Sequence, residues 1–288
     1  MSELINVGRI ARLMQIDRQA FIAIAGRAGS MYSRQILKIG AKQRVIDVPH
    51  TELKAFQRKL HDRVLSTIPC ASAVYGVAGK GVIKNAQQHL NQPFMAVLDI
   101  ADCFPSITVA MIRDALYRAG FDEVAARHIT RLVTLRGRLP QGPPSSPAIM
   151  NIVLGEFDAE LEHAAIADGC VYTRYMDDIC LSGDHDLSSL LVRARVTLRR
   201  NGFRANKRKT KCWGPRYPHT VTKIVVASSL SPTREYLDAL KGELERSDGH
   251  ISLRDRNRLR AKIGWVRALN SALGKQLDRT SGGHRIAA

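Results

Sequence analysis

Acidic side chains stand at two places where the sequence otherwise favours buried strands. Asp99 follows the apolar run "FMAVL", and Asp177 and Asp178 interrupt the stretch "VYTRYMDDICLSG". Neighbouring carboxylates repel each other and a buried carboxylate loses its solvation, so this placement needs a compensating partner. A bound divalent cation is one explanation, because three carboxylates can hold two Mg²⁺ ions about 4 Å apart. A solvated hairpin turn is the alternative for an isolated Asp-Asp pair.

The elements that must position these acids are predicted from the spacing of apolar residues. "PFMAVLDIADCF" is the most strand-like run and ends in acids, and "VYTRYMDDICLSG" predicts a β-hairpin with carboxylates at its tip. Helices are predicted for "ITVAMIRDALYRAG", for "SSLLVRARVTLRRNG", and for one long segment, "AIMNIVLGEFDAELEHAAIADG", ended by Gly169. A Pro/Gly-rich loop, "LPQGPPSSP", precedes that long helix.

The remaining segments are also predicted from local patterns. Residues 4–28 favour two short helices broken near Asp17, and "QILKIGAKQRVIDVP" favours a hairpin. A helix is predicted in "TELKAFQRKLHDRVLSTI", with Thr51 placed to cap it. The basic run "FRANKRKTKC", short strands around "HTVTKIVVAS" and a helical tail through residues 232–276 complete the chain.

The overall charge indicates a polyanionic partner. The 288 residues include 44 Lys plus Arg against 26 Asp plus Glu, a formal net charge of +18, which attracts nucleic acid or an acidic membrane surface. A basic protein without a specific partner is the alternative.

The five cysteines are odd in number and form no CxxC pair, so neither a disulfide framework nor a zinc site is predicted. No segment is apolar enough for a membrane span or a secretory signal, and a cytoplasmic protein is expected.

Five segments, in order and spacing, resemble those of reverse transcriptases. They are "RVIDVP" (44–49), "LDIADCFPSI" (98–107), "LPQGPPSSP" (139–147), "YMDD" (175–178) and "GFRANKRKTK" (202–211). The resemblance implies an α+β right-hand polymerase with a palm built on an antiparallel sheet. Fingers and N-terminal helices are expected in 1–92, the palm in 93–228 with a finger insertion at about 108–146, and a small helical thumb in 229–288.

The resemblance also implies the catalytic residues. Asp99, Asp177 and Asp178 would hold two Mg²⁺ ions, with the backbone carbonyl of Ile100 as an extra ligand. Lys209 matches the basic residue of the following motif and is a candidate proton donor to the departing pyrophosphate. An RNA-directed DNA polymerase acting by two-metal phosphoryl transfer is the expected activity.

Residues that bind the nucleotide follow from the same resemblance. Phe104 stands at the steric-gate position, so deoxynucleotides are the expected substrate; a core residue that closes the strand is the alternative. Gln141 is expected to touch the nucleotide or the template, or else to be an exposed loop residue. Arg44 and Lys42 are the finger bases expected to grip the triphosphate.

Two features resemble retron reverse transcriptases in particular. "KNAQQH" places Asn85 and His89 four residues apart before the first catalytic strand, in an Asn-Ala-x-x-His pattern that implies RNA binding; a histidine on a helix surface is the alternative. "HTVTKIVVAS" stands where those enzymes commonly read Val-Thr-Gly, with Lys223 in place of the glycine. From the length of the sequence, no maturase, endonuclease or RNase H part is expected after the thumb.

The retron resemblance implies the partners. The enzyme would bind its own structured noncoding RNA, prime DNA synthesis from a guanosine 2′-OH and make multicopy branched RNA–DNA. Its expected role is anti-phage defence, with a separate effector protein and no membrane partner. The helical tail is expected to bind RNA phosphates through a basic surface that includes Arg256, Arg260 and Lys262. A solvated helix face is an equally good explanation for these bases.

Two alternatives stay open from the sequence. The first is another bacterial reverse transcriptase, either derived from a group II intron or a stand-alone defence enzyme, which would make no branched product. The second is a noncatalytic RNA-binding protein on a polymerase fold. An acidic-membrane binder is disfavoured, because no amphipathic segment pairs a broad apolar face with bases.

Overall fold

A computed structural model describes residues 4–39, 42–216, 218–246 and 252–281. The chain divides into two compact units. The first comprises Met1–Val74, Asp99–Ala164 and Val192–Arg208, and the second comprises Tyr75–Leu98, Ala165–Leu191 and Lys209–Ala288. Within the described residues, no helix combines the length and the apolar character that a membrane crossing requires.

The described chain contains both helices and strands. The helices are α1 (Val7–Leu13), α2 (Arg18–Arg27), α3 (Thr51–Arg63), α4 (Val82–Gln87), α5 (Cys103–Ser106), α6 (Val109–Arg118), α7 (Glu123–Val133), α8 (Ser146–Val153), α9 (Gly155–Ala167), α10 (Ser188–Arg200), α11 (Arg234–Arg246), α12 (Leu253–Leu269) and α13 (Ser271–Ser281). The strands are β1 (Tyr32–Ile39), β2 (Lys42–Pro49), β3 (Val74–Tyr75), β4 (Phe94–Asp99), β5 (Val171–Tyr175), β6 (Asp178–Gly183), β7 (Lys211–Trp213), β8 (His219–Val221), β9 (Ile224–Val226) and β10 (Leu230–Pro232).

Side chains at the helix starts explain where several helices begin. The Asp17 carboxylate accepts hydrogen bonds from the backbone N–H groups of Gln19 at 2.8 Å and Ala20 at 3.1 Å, so it caps α2. This confirms the predicted break near Asp17. The predicted cap at Thr51 is wrong, because Thr51 is the first helical residue of α3 and the N-cap position is taken by His50, whose side chain makes no capping bond.

The segment predicted as one long helix forms two. Helix α8 ends at Val153 and α9 begins at Gly155, with Leu154 in a turn between them. Glycine is a weak helix former, which favours a break at this point. Beyond α9, Gly169 has φ +65°. That left-handed conformation ends the helix as the sequence predicted.

Helix α7 lies at the centre of the first unit. It is strongly amphipathic, and its apolar side, including Ile129, Leu132 and Val133, is fully buried. Helices α2 and α6 pack against it. The side-chain amide of buried Gln57 on α3 donates to the Leu132 carbonyl oxygen at 2.7 Å. The predicted hairpin before α3 is confirmed as the antiparallel pair β1–β2, with Gln35 opposite Ile46.

A five-stranded sheet forms the framework of the second unit, in the order β3-β5-β6-β4-β7. Strand β5 pairs antiparallel with β6, and β4 pairs antiparallel with β7. Met95 on β4 and Cys180 on β6 join a buried apolar cluster with Val221, Ile224 and Leu230 from the strands that follow. The strand and hairpin predicted to carry the acids are therefore confirmed.

Strands β8, β9 and β10 form a separate three-stranded sheet. Val221 pairs with Ile224, so Thr222 and Lys223 make a two-residue turn, and both have positive φ, 46° and 67°. Two positive φ angles are typical of the type I′ turn that suits a tight hairpin, in which glycine is preferred at the second position. Lys223 therefore occupies a glycine-like conformation and preserves the turn.

The last three helices pack around a small apolar core of their own. Leu240, Leu259, Ile263, Val266 and Leu277 are buried in it. Leu259, Ile263 and Val266 stand four and three residues apart, so they share one face of α12 and form its apolar stripe.

Candidate active site

The Asp pair lies at the turn of the β5–β6 hairpin. Tyr175 pairs with Asp178, so Met176 and Asp177 form the turn, and Met176 has φ 57°. Asp177 is partly buried and Asp178 is exposed. The hairpin thus presents two carboxylates at one end, as predicted.

A buried arginine supports this turn from within the sheet. Arg174 is 0% exposed, and its Nη1 donates to the Met176 carbonyl oxygen at 2.8 Å. Removing a guanidinium from water costs free energy, so a buried arginine needs hydrogen bonds in compensation. The bond to Met176 is one of these, and it holds the turn in place. Arg174 was not predicted as a site residue, since nothing in the alternating pattern distinguishes a buried arginine from an exposed one.

Asp99 is the last residue of β4 and is 6% exposed. The backbone N–H of Asn206 donates to the Asp99 carbonyl oxygen at 2.7 Å, and its side-chain Nδ2 donates to Asp99 Oδ2 at 3.2 Å. Ile100 then bridges to Ala205. Asn206 therefore orients the Asp99 carboxylate and backbone together. The sequence placed Asn206 inside a basic run and gave no separate signal for it.

Sheet order relates the two acidic segments. Strand β6, which begins at Asp178, is the neighbour of β4, which ends at Asp99. The acids thus stand at the ends of adjacent strands. Carboxylate oxygens are the ligands that Mg²⁺ prefers, so each acidic segment offers donors of the kind that a hard divalent cation binds.

The residues after Asp99 form a tight turn into α5. Asp102 has φ 47°, and the Ser106 N–H donates to its carbonyl oxygen at 2.9 Å. Phe104 lies in α5 and is half-buried, so part of its ring is accessible. Lys209 is exposed, in the turn that precedes β7.

The Pro/Gly-rich loop packs against the first hairpin. Gly142 has φ 125°, and a Cβ atom there would lie 3.3 Å from the Asp47 carbonyl oxygen of β2. Gln141, the preceding residue, is exposed. The backbones of Lys42 and Arg44 belong to β2, with Arg44 opposite Leu37, but their side chains lie outside the described part of the structure.

Asn85 and His89 are buried, which corrects the expectation that these side chains contact RNA. They are 1% and 0% exposed. His89 Nδ1 lies 2.7 Å from Ser182 Oγ on β6, and Nε2 lies 2.7 Å from Thr173 Oγ1 on β5. Burial lowers the pKa of His89 to about 3, so the ring is neutral. His89 therefore joins both strands of the acidic hairpin.

The bases predicted to bind RNA on α12 differ in their surroundings. Arg256 and Arg260 are half-buried. Lys262 Nζ is bonded to both carboxylate oxygens of Glu243, at 2.6 and 2.7 Å, and its side chain is 30% exposed. This ion pair links α12 to α11, and RNA binding by Lys262 stays a prediction.

Comparison with known proteins identifies the family. Residues 36–231 match the family model described as reverse transcriptase (RNA-dependent DNA polymerase). The match covers more than half of the chain, and the chain belongs to this family.

Within the family, the chain is similar to retron enzymes. It is 29% identical over 258 residues to the Retron Mx65 reverse transcriptase of Myxococcus xanthus, which covers 82% of this chain and 60% of that protein. It is 27% identical over 244 residues to the Retron Ec86 reverse transcriptase of Escherichia coli, with coverages of 83% and 74%. The chain therefore spans less than two thirds of the length of the Myxococcus relative.

A solved structure supports the fold. Telomerase from Candida albicans, in complex with the TWJ fragment of telomeric RNA, aligns with a TM-score of 0.50 and 10% identity, covering 81% of this chain and 54% of that one. At this identity the likeness concerns the fold alone, which is α+β and of the polymerase type.

Proposed function

We propose that this protein is an RNA-directed DNA polymerase of the retron type, which copies part of a cognate structured noncoding RNA into DNA. One observation carries the proposal. In a chain of the reverse transcriptase family, Asp99 and the Asp177-Asp178 pair stand at the ends of adjacent strands of one sheet.

In this proposal Asp99, Asp177 and Asp178 hold two Mg²⁺ ions, with the Ile100 carbonyl as an additional ligand. Such ions lower the pKa of the attacking hydroxyl and neutralise charge on the leaving pyrophosphate. The chain's own contribution is orientation. Asn206 fixes the Asp99 carboxylate through its 3.2 Å hydrogen bond, which limits the motion of one metal ligand.

Other residues act on the nucleotide. Phe104 places an aromatic ring that excludes a ribose 2′-OH, so deoxynucleotides are selected. Arg44 and Lys42 bind the triphosphate as charge-assisted donors, and Gln141 contacts the nucleotide or the template. Lys209 is exposed in its turn and donates a proton to the pyrophosphate as it leaves.

The three-part organisation follows the same assignment. Residues 1–92 form the fingers with the N-terminal helices, 93–228 form the palm with a finger insertion at about 108–146, and 229–288 form the thumb. The net charge of +18 supports binding along RNA phosphates. Arg256, Arg260 and Lys262 are thumb bases that take part, whereas His89 acts by holding the two strands of the palm hairpin together.

The retron assignment adds a branched RNA–DNA product, primed from a guanosine 2′-OH, and a role in anti-phage defence with a separate effector protein. It is supported by similarity to several retron reverse transcriptases over most of the chain. A group II intron-derived or stand-alone enzyme would share the polymerase site but not the branch.

The proposal is tested by characterising the nucleic acid that copurifies with the protein when the protein is expressed from its native locus. The sample is treated with RNase, DNase and a debranching enzyme separately, and the remainder is sequenced. Asp177→Asn is compared with Asp114→Asn, a matched change at an exposed position on α6. We expect a short DNA that shifts on debranching, is present with Asp114→Asn and is absent with Asp177→Asn.

Two other results are informative. DNA that depends on Asp177 but does not shift on debranching would reject the retron type and keep the polymerase. RNA without attached DNA in every sample would favour the noncatalytic RNA-binding alternative.

A further inference from the structure

Three side chains with metal-binding atoms converge at the end of the β5–β6 hairpin away from its acidic turn. They are Asp168 and Cys170, which precede β5, and His185, which follows β6. Cys170 Sγ lies 3.8 Å from His185 Nε2 and 3.9 Å from Asp168 Oδ2, and these last two atoms are 3.6 Å apart. The three atoms form a nearly equilateral triangle.

The triangle has the size of a tetrahedral zinc site. Zinc bonds of about 2.0 Å to nitrogen or oxygen and about 2.3 Å to sulfur put ligand atoms roughly 3.3–3.6 Å apart. Each atom would need to move inward by only a few tenths of an ångström. A thiolate, an imidazole and a carboxylate together also favour zinc over Mg²⁺ or Ca²⁺, which prefer oxygen ligands alone.

The histidine is already oriented for such a role. Its Nδ1 lies 2.7 Å from Asp184 Oδ1. A carboxylate that accepts a hydrogen bond from Nδ1–H keeps the proton on Nδ1 and leaves Nε2 as the metal-binding atom, and this arrangement is usual behind zinc-bound histidines. Nε2 is the atom that faces Cys170 and Asp168.

Backbone geometry holds the cysteine in place. Gly169 has φ 65°, and the Cys170 N–H donates to the Ala165 carbonyl oxygen at 2.8 Å, so the turn after α9 is closed. A Cβ atom at Gly183 would lie 2.8 Å from Cys170 Sγ, so only glycine leaves room for the sulfur there. Cys170 is buried, whereas the side chains of Asp168 and His185 are each 46% exposed. An ion and a water ligand can therefore reach the sulfur from the solvent side.

We propose that Asp168, Cys170 and His185 bind one zinc ion, with water as the fourth ligand. The ion joins the chain entering β5 to the chain leaving β6, so it closes the base of the hairpin whose tip carries Asp177 and Asp178. This site does not depend on the proposed polymerase activity.

The test uses the full chain without an affinity tag, stripped with a chelator and kept in excess Mg²⁺, so that oxygen-only sites are occupied. Zinc is titrated against a chromophoric chelator, and cobalt(II) replaces it to detect thiolate ligation by visible absorption. We expect one zinc per chain and a cobalt–thiolate band. With zinc at 100 times its dissociation constant, the melting temperature should rise by about 4 °C for a chain of this size.

Variants separate this site from other cysteines and acids. Cys170→Ser and His185→Gln should each weaken zinc binding by at least about 100-fold, and Asp184→Asn by roughly 10- to 100-fold. Cys212→Ser, at an exposed cysteine outside the cluster, and Asp177→Asn should bind zinc as the unchanged chain does. Melting curves recorded in the presence of a chelator show whether each variant folds. If Cys170→Ser does not fold, His185→Gln still tests the site, because His185 is at a half-exposed position.

The proposal is overturned by zinc binding that survives both Cys170→Ser and His185→Gln. It is equally overturned by cobalt binding without a thiolate band, or by no zinc binding at all. If no zinc binds, the cluster is an ion pair between His185 and the carboxylates of Asp168 and Asp184.

Discussion

Replacement of His89 by glutamine should remove a defined part of the acid sensitivity of this protein. The imidazole is fully buried between β5 and β6, with Thr173 and Ser182 as its hydrogen-bond partners. Burial lowers the pKa of His89 to about 3. In the unfolded chain the ring is solvated and titrates near its ordinary value of about 6.5.

The magnitude follows from proton linkage. Below about pH 6.5 the unfolded chain binds a proton at His89 that the folded chain does not, so acid favours unfolding. The stability contributed by the neutral ring is present above that pH and is lost as the pH falls towards 3. Between pH 7 and pH 5 the loss amounts to about 2 kcal/mol, and it changes little for any folded pKa below about 4.

The assay is urea unfolding at the two pH values. With a urea m-value of roughly 3 kcal/mol/M, the midpoint of the unchanged chain should fall by about 0.7 M more between pH 7 and pH 5 than that of His89→Gln. Other titrating groups are common to both proteins and cancel in the difference. Ser182→Ala removes one partner but leaves the imidazole buried, so it should keep the unchanged chain's pH dependence. Equal pH dependence in His89→Gln and the unchanged chain would refute the reasoning.

Three further substitutions test particular contacts. Lys223→Gly should raise the unfolding free energy by about 0.5–1 kcal/mol in thermal or urea melts, because glycine adopts a φ of 67° without strain. Asn206→Ala should lower kcat for DNA synthesis roughly 10-fold or more with little change in nucleotide KM, since Asp99 loses its orienting bond; an unchanged kcat argues against that role. Phe104→Ala should raise ribonucleotide incorporation relative to deoxynucleotide by at least about 10-fold in competition assays, and an unchanged ratio rejects the steric gate.

Elements with local sequence signals could be predicted. The β5–β6 hairpin and β4 were found because strand alternation is visible within a few residues, and the acids interrupt it at identifiable places. The break at Asp17 was found because an aspartate in front of a helix is itself a capping signal. The break at Leu154 was missed, since the apolar pattern runs through it and a single glycine is tolerated in many helices.

Contacts between distant residues could not be predicted in the same way. Asn206 meets Asp99 across 107 positions, and His89 meets Ser182 across 93. Neither pairing has a local pattern, and the four-residue spacing of Asn85 and His89 was compatible with an exposed helix face. Only the fold shows that His89 points into the sheet.

The cluster of Asp168, Cys170 and His185 was not predicted, for a related reason. The CxxC motif is the usual sequence signal for a zinc site, and it is absent around Cys170. Cys170 and His185 are 15 residues apart, and they come together because β5 and β6 pair antiparallel. Hairpin formation returns the chain to its starting point, so residues before the first strand and after the second become neighbours. The same pairing that puts Asp177 and Asp178 at one end therefore assembles the candidate metal site at the other.

DNA synthesis by the purified protein tests the central claim most directly. The reaction contains an RNA template, an annealed DNA primer, deoxynucleotides and Mg²⁺, and compares the unchanged chain with Asp177→Asn and Asp114→Asn. We predict template-dependent extension by the unchanged chain and by Asp114→Asn, with a loss of at least about 1,000-fold in Asp177→Asn while RNA binding is retained. Extension by Asp177→Asn at the unchanged rate, or RNA binding without any extension by the unchanged chain, would contradict the account.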